Sequence, residues 1–289
     1  MTKTASKPGR KAQGPVKGPA RVLAVSSGKG GVGKSNLTLA LAYALTSLKR
    51  KVLIWDADLG LANTDVLLGI HAKHTIHDWL KGEKALKDII VEAPGGVSIL
   101  PAASGILELS EISQDEKSRL LSDFEGWTLD LDFLLIDTAA GIGQNVIFFN
   151  LIAPEHLVVI TNEPTSITDA YALIKALSVQ YDQKAFYVLP NMVRDLQDAK
   201  GVFRLISDVA GNYLPDVSLD YLGYVPKDEA VPDAVRRQVP FYTGFPQSEA
   251  ARKVTEVARA LAAKEPPAGG SGGLSLFLGR LGLSPMAVN

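Results

Sequence analysis

The chain alternates short, continuous apolar runs with longer segments in which apolar residues recur every three to four positions. A continuous apolar run is typical of a strand buried on both faces, and the longer period is typical of a helix. The predicted strands are Val22–Ser26, Val52–Asp56, Val97–Pro101, Phe133–Thr138, Leu157–Thr161, Phe186–Pro190 and Tyr221–Val225. The predicted helices are Ser35–Leu48, Gln144–Ala153, Ser166–Val179, Ala199–Tyr213 and Ser248–Ala263. This alternation predicts an α/β fold with a mostly parallel central sheet and helices on both faces.

The two ends of the chain depart from this pattern. Residues 1–20 are rich in Lys, Arg, Pro and Gly, and they predict a disordered basic tail because they offer too little apolar surface to offset the entropy of ordering. The tail is either a solubilising leader or a contact for acidic lipid, nucleic acid or a protein partner. Residues 265–273 (EPPAGGSGG) have the composition of a flexible linker. Residues 274–289 contain LSLFLGRLGL, a candidate amphipathic segment for a membrane surface. One folded domain is therefore expected over residues 21–264.

Composition narrows the chemistry. None of the 289 residues is cysteine, which excludes disulfide scaffolds, catalytic thiols, thiolate zinc sites and cysteine-held iron–sulfur clusters. The net charge of −1 excludes a grossly basic DNA-coating protein, but it permits a local basic patch. The sequence has neither an apolar run of about 18 residues nor the pattern of a secretory signal. A cytoplasmic location is therefore expected.

The strongest motif is a glycine-rich loop between the first predicted strand and the first predicted helix. Residues 28–35 (GKGGVGKS) match G-x-x-x-x-G-K-S, the phosphate-binding P-loop, in the strand–loop–helix context that this motif requires. Backbone N–H groups of such a loop surround the phosphates at a helix N-terminus, so ATP is the expected cofactor. Lys34 is placed to reach the β- and γ-phosphates and Ser35 to ligate Mg²⁺. The predicted nucleotide-binding residues here are Gly28, Gly30, Gly31, Val32, Gly33, Lys34, Ser35 and Asn36.

Three carboxylates follow predicted strands. Asp137 ends the apolar strand that begins at Phe133, a Walker B pattern in which the carboxylate holds Mg²⁺. Asp56 and Asp58 follow the second strand, at the same expected edge of the sheet as the P-loop. There they are placed to face the metal or the attacking water, with two ordinary loop acids as the alternative. Asp56 is predicted to support the metal together with Ser35 and Asp137.

A second lysine inside the loop, Lys29, departs from the generic motif. The stretch KGGVGKS resembles the deviant Walker A motif of the MinD/ParA ATPases. The resemblance implies that Lys29 reaches the nucleotide of a second subunit, so that ATP binding drives homodimerisation. It also implies that Asp58 positions the attacking water, and that Asn191 and Pro226 lie on the adenine side. The alternatives are a solvent-facing Lys29 and an ordinary turn Asn191.

Further stretches are similar to the branch that regulates flagellar number and placement, the FlhG/FleN type. They are LPAASG, IDTAAGIGQNVIFFN and EPTSITDAYALIKAL. The resemblance implies an ATP-dependent dimerising switch with slow Mg²⁺-dependent ATPase activity. It further implies cycling on the inner face of the cell membrane and a flagellar assembly protein, partner GTPase or transcription regulator as partner. Residues 1–20 lack the Asp-Gln-Ala element with which many members of that branch stimulate their partner GTPase.

Two other functions stay open from the residues. The basic tail is compatible with a ParA-like partition ATPase that binds DNA nonspecifically as an ATP dimer, through salt-sensitive phosphate contacts. A metabolic P-loop enzyme would need a separate polar constellation for its substrate, and the sequence shows none.

Overall fold

A computed structural model describes residues 20–58, 64–70, 72–102, 119, 122–123 and 131–265. Nearly all of the predicted basic tail and linker, and the whole of the candidate amphipathic segment, lie outside the described residues. The predictions for those segments therefore stay predictions.

A parallel sheet forms the centre of the fold. Its strands are β1 (Arg21–Ser27), β2 (Val52–Ala57), β3 (Val91–Ala93), β4 (Val97–Leu100), β5 (Phe133–Ala140), β6 (Glu155–Ile160), β7 (Ala185–Val193), β8 (Ser218–Tyr221) and β9 (Val225–Pro226). The strand order is β3-β4-β2-β5-β1-β6-β7-β8, with β9 beside β7. Every pairing is parallel except β3 with β4. The predicted fold class is confirmed.

Helices cover the sheet. They are α1 (Lys34–Ser47), α2 (Thr64–Leu68), α3 (Ile76–Leu80), α4 (Gln144–Ile152), α5 (Pro164–Tyr181), α6 (Leu196–Tyr213), α7 (Ala230–Arg236), α8 (Phe241–Gly244) and α9 (Glu249–Ala263). All five helices predicted from the sequence are present. The four shorter helices were not predicted, because five or seven residues give the helical period too little length to stand out.

One predicted strand, Tyr221–Val225, is wrong as a single element. Tyr221 ends β8 opposite Val188, whereas Val225 begins β9 opposite Asn191. Gly223, at φ +134°, separates them with a backbone conformation that an extended strand does not use. The chain therefore leaves its partner β7 and returns to it three residues further along.

The sheet is buried on both faces, as the apolar runs predicted. In β1, Leu23 and Val25 belong to the core that includes α1 and α9. Val22 and Ala24 belong to a second core on the other face, with α3 and α4. Because the β1 side chains alternate between two cores, the strand is fixed in the middle of the domain. The P-loop that follows it therefore leaves a rigid element.

An ion pair closes the edge of the sheet at which the parallel strands begin. The Arg21 guanidinium donates to both carboxylate oxygens of buried Glu155 at the start of β6, at 2.9 and 2.5 Å. Its remaining nitrogen donates to the carbonyl oxygens of Leu261 at 2.6 Å and Lys264 at 2.9 Å. A single side chain thus joins the first strand, a neighbouring strand and the end of α9.

Candidate functional site

The P-loop lies between β1 and α1, where the sequence placed it. Gly31 and Gly33 both adopt φ of +80°, a conformation that favours glycine, and α1 begins immediately afterwards at Lys34. The loop encloses a cavity of about 220 Å³ that Asp58 and Ala140 also line. The ends of β2 and β5 therefore meet the P-loop around one space, as expected for a parallel sheet.

Gly28 is required by the packing of the loop against a helix. A Cβ atom at this position would lie 2.1 Å from the carbonyl carbon of Asp169 and 2.4 Å from the backbone nitrogen of Ala170, both in α5. By contrast, a Cβ atom at Gly30 would meet nothing within 4 Å. The first glycine of the motif therefore lets the loop dock on α5.

This contrast gives a matched pair of variants. We expect Gly28→Ala to lower the free energy of unfolding by about 2–4 kcal/mol, because the backbone of α5 would have to move. We expect Gly30→Ala to change it by no more than about 0.5 kcal/mol. Urea unfolding of both variants without nucleotide measures the difference. Equal stabilities would show that the loop and α5 separate easily.

Lys34 and Asp137 form a buried ion pair at the base of the cavity. The Lys34 Nζ lies 2.6 Å from Asp137 Oδ1. Thr38, one turn further along α1, donates its hydroxyl either to the same carboxylate oxygen at 3.2 Å or to the Lys34 carbonyl at 3.0 Å. Asp137 Oδ2 is buried and has no hydrogen-bond partner within the described part of the chain. One carboxylate oxygen is therefore left with its acceptor capacity unused.

Asp56 lies beside Asp137 on the neighbouring strand, in direct register. Its two carboxylate oxygens accept the backbone N–H groups of Asp58 at 3.2 Å and Thr64 at 3.1 Å. Burial, and then the charge of Asp137, raise the pKa of Asp56 to about 6, while those two N–H groups act in the opposite direction. Asp56 thus closes the turn that follows β2. Its role as a metal ligand stays a prediction.

Lys29 is held on the rim of the P-loop by the first turn of α5. Its ammonium forms an ion pair with Glu163 and donates to the Thr165 hydroxyl at 3.0 Å. Both charged side chains keep substantial exposure to solvent, at 37% for Lys29 and 61% for Glu163. Such an exposed pair contributes little to stability and breaks easily. Neither Glu163 nor Thr165 was predicted, because they lie more than 130 residues from Lys29.

A second cavity, of about 460 Å³, adjoins the P-loop and is mostly apolar. Asn36, Asn191 and Pro226, three residues of the predicted nucleotide-binding set, all line it, as does Gly33. Asn191 is buried, and its amide donates to the Val32 carbonyl oxygen at 2.7 Å. Asn191 therefore also fixes the P-loop to β7, a contact that the sequence did not reveal.

A buried polar network behind the loop was also missed. Asn150 of α4 donates to the Ser26 hydroxyl at 2.9 Å and to the Val146 carbonyl at 2.8 Å. Thr138, which follows Asp137, lies 3.0 Å from the same serine hydroxyl. The network connects α4 to the end of β1 and to β5. Its members lie more than 100 residues apart, so no local pattern indicates it.

The ParA family profile, described as an NUBPL iron-transfer P-loop NTPase, matches residues 19–262. The chain belongs to the ParA family. This ParA-family chain is 44% identical to the antiactivator FleN of Pseudomonas aeruginosa over 263 residues, which is 91% of the chain and 94% of that protein. It is 35% identical to the flagellum site-determining protein YlxH of Helicobacter pylori, over 86% of the chain and 84% of that protein.

The same relationship appears in three dimensions. The septum site-determining protein MinD of Pyrococcus horikoshii, solved with Mg-ADP, superposes with a TM-score of 0.69 at 26% identity, covering 84% of this chain and 96% of that one. As a member of this family, the ParA-family chain hydrolyses ATP. The iron transfer in the profile's description has no cysteine ligand available here, because the chain contains none.

Proposed function

We propose that this chain is a Mg²⁺-ATP-dependent switch that dimerises when ATP is bound and regulates the number or placement of flagella. The observation that carries the proposal is Lys29. Its ammonium sits on the exposed rim of the P-loop, held only by an ion pair with Glu163 and a hydroxyl contact with Thr165 among the described residues. A cation in that position is available to a second subunit that closes over the nucleotide. The likeness to FleN and YlxH supports the flagellar role.

The residues around the P-loop fit ATP. The cavity of about 220 Å³ offers backbone N–H groups and Lys34 for phosphates. The neighbouring cavity of about 460 Å³ offers an apolar wall with the Asn36 and Asn191 amides for the base. Binding of the phosphates would give the Lys34 ammonium a second anionic partner besides Asp137.

The same site fits Mg²⁺, which prefers oxygen ligands. Asp137 Oδ2 is a buried carboxylate oxygen without a partner among the described residues, and Ser35 lines the adjoining cavity. We propose that Ser35 and Asp137 hold the ion, directly or through water. When bound, Mg²⁺ neutralises charge on the transferred phosphoryl group.

The proposed hydrolytic step uses the residues of the rim. Asp58 lines the P-loop cavity and is placed to orient water toward the terminal phosphate. Lys29, delivered by the second subunit, would neutralise charge that develops on that phosphate, as a finger residue does. Hydrolysis removes the group that both subunits contact, so the dimer separates. The reaction therefore resets the switch.

Membrane-associated cycling is also part of the proposal. The described residues contain no helix long and apolar enough to cross a membrane, so attachment would be peripheral, through residues 274–289. A single weak anchor becomes effective when a dimer presents two copies, since the second binds at high effective concentration.

Light scattering of three proteins tests the switch. We expect wild type to dimerise with Mg²⁺-ATP and to stay monomeric with Mg²⁺-ADP or without nucleotide. Lys29→Ala should stay monomeric throughout, whereas Asp58→Ala should dimerise with ATP and persist because hydrolysis is blocked. Lys200→Ala, a lysine exposed on α6, serves as the charge-matched control and should behave as wild type. A wild type that turns over ATP and never dimerises would overturn the proposal.

A further inference from the structure

Three consecutive basic residues lie at the edge of the sheet where the parallel strands begin. Lys49, Arg50 and Lys51 connect α1 to β2, and all three are exposed; we call them the basic turn. Lys49 adopts φ of +64°, which turns the chain sharply after the helix. The basic turn therefore presents three cations on one short connection.

The basic turn lies next to the start of β1. Asp132, which precedes β5, donates its backbone N–H to the Lys51 carbonyl at 2.9 Å and accepts the Arg21 N–H at 3.0 Å. Its side chain accepts the Lys51 backbone N–H at 2.7 Å. One residue thus bridges the turn and the first described strand, so residues 1–20 leave the domain beside the basic turn.

The other end of the domain reaches the same edge. Arg21 donates to the Lys264 carbonyl at the end of α9. The chain beyond Glu265 therefore leaves the domain close to the place where residues 1–20 leave it. The linker sequence of 265–273 spans roughly 15–18 Å as a flexible coil, which keeps residues 274–289 near this edge.

The charges at this edge divide into two groups. Near β7 and β8, Asp182 and Asp220 are matched by Lys184 at 3.1 Å and Lys264 at 2.9 Å, and Asp216 is also exposed there. At the basic turn, by contrast, three cations face a single acid, since Arg50 approaches Asp132 at 3.9 Å. Residues 1–20 add five basic residues and no acidic one: Lys3, Lys7, Arg10, Lys11 and Lys17. The positive charge is thus concentrated at the β1–β2 side.

The sequence of residues 274–289 has the opposite character. It contains one basic residue, Arg280, among large apolar residues: Leu274, Leu276, Phe277, Leu278, Leu281 and Leu283. An apolar anchor of this size gives marginal binding to a bilayer, and stable attachment needs a second signal such as a polybasic patch. This segment does not carry that second signal within itself.

We propose that the strand-start edge docks on an anionic lipid bilayer, with the basic turn and the basic tail supplying the charge that the apolar C-terminal segment lacks. The proposal rests on the membrane-associated part of the proposed function and adds the surface, its charge and the lipid class. Each basic side chain near an anionic bilayer strengthens binding by about fivefold, so the turn contributes substantially. Docking by this edge would leave the P-loop, at the opposite edge, free to meet a second subunit.

The apolar segment favours a bilayer over nucleic acid as the partner. Phosphate contacts on DNA need cations, but they give no use to six large apolar side chains that leave the domain at the same place. A bilayer uses both features, since its headgroups attract the basic residues while its acyl region accepts leucine and phenylalanine.

Vesicle co-sedimentation of the full chain with Mg²⁺-ATP tests the surface. The variant Lys49→Gln/Arg50→Gln/Lys51→Gln removes the basic turn, and the control Lys200→Gln/Arg204→Gln/Arg252→Gln removes as many exposed charges from the first turns of α6 and α9. On phosphatidylcholine vesicles that contain phosphatidylglycerol, we expect the turn variant to bind at least about tenfold more weakly than wild type and the control to bind as wild type. Neutralising the five basic residues of the tail should weaken binding further. On pure phosphatidylcholine, all variants should bind equally weakly.

Two outcomes would overturn the proposal. One is a turn variant that binds anionic vesicles as tightly as the control; the other is wild type that binds mixed-sequence DNA and not the vesicles. Light scattering separates this test from that of the switch, because the turn variant should still dimerise with ATP. A wild type that binds vesicles without dimerising would contradict the switch and leave the docking surface standing.

Discussion

Replacing Lys34 with alanine should reduce ATP turnover by a factor of about a hundred to a thousand, the usual cost of removing one preorganised donor to the transition state. The Lys34 ammonium lies 2.6 Å from Asp137 and is the buried cation at the base of the P-loop cavity among the described residues. Without it, the phosphates would meet Asp137 and Asp56 with no neutralising side chain between them. Phosphate release under saturating Mg²⁺-ATP measures the loss.

The control for this prediction is Lys200→Ala, which removes an exposed lysine of α6 and should keep wild-type turnover. Circular dichroism should show that Lys34→Ala retains the fold, so that lost turnover is not lost structure. Turnover within threefold of wild type would place the phosphate-binding cation elsewhere.

The second large effect concerns stability, at the opposite edge of the sheet. Arg21→Met should lower the free energy of unfolding by about 3–5 kcal/mol, because it leaves the Glu155 carboxylate buried without its cation. The remaining partner of Glu155 would be the Tyr187 hydroxyl at 3.4 Å, a long contact that compensates little. The carbonyl oxygens of Leu261 and Lys264 would also lose their shared donor. Urea unfolding measures the change.

Two further variants make this prediction specific. Arg21→Met/Glu155→Leu should recover much of the lost stability, since the second change removes the unpaired charge. Lys264→Met breaks the exposed pair with Asp220 at the same edge and should cost no more than about 1 kcal/mol. If Arg21→Met proved as mild as Lys264→Met, water would have to reach Glu155 readily.

The sequence predicted those features that depend on local order along the chain. The P-loop could be placed because its glycines, Lys34 and the flanking strand and helix lie within one short stretch. Asp137 could be placed because an apolar strand leads directly to it. Parallel strands then bring such residues to one edge, and the structure places Asp58 on the P-loop cavity as that argument expects.

Long-range contacts were beyond such reasoning. The pairs Lys29–Glu163 and Arg21–Glu155 each join residues 134 positions apart, and nothing near either residue indicates its partner. Thr38 is different, because its spacing of four residues from Lys34 puts both on one face of α1. That local signal was available and was overlooked. The failed strand at Tyr221–Val225 shows the reverse case, in which one glycine interrupts an apolar pattern that looks continuous.

The outer strands of the sheet bear on how copies of this protein can associate. In the described part of the chain, β3 spans three residues and β8 four, at the two ends of the strand order. Strands this short offer few unpaired backbone groups to another chain, so open-ended growth by strand addition is disfavoured. Self-association is then left to side-chain surfaces, whose strength a bound small molecule can turn up or down.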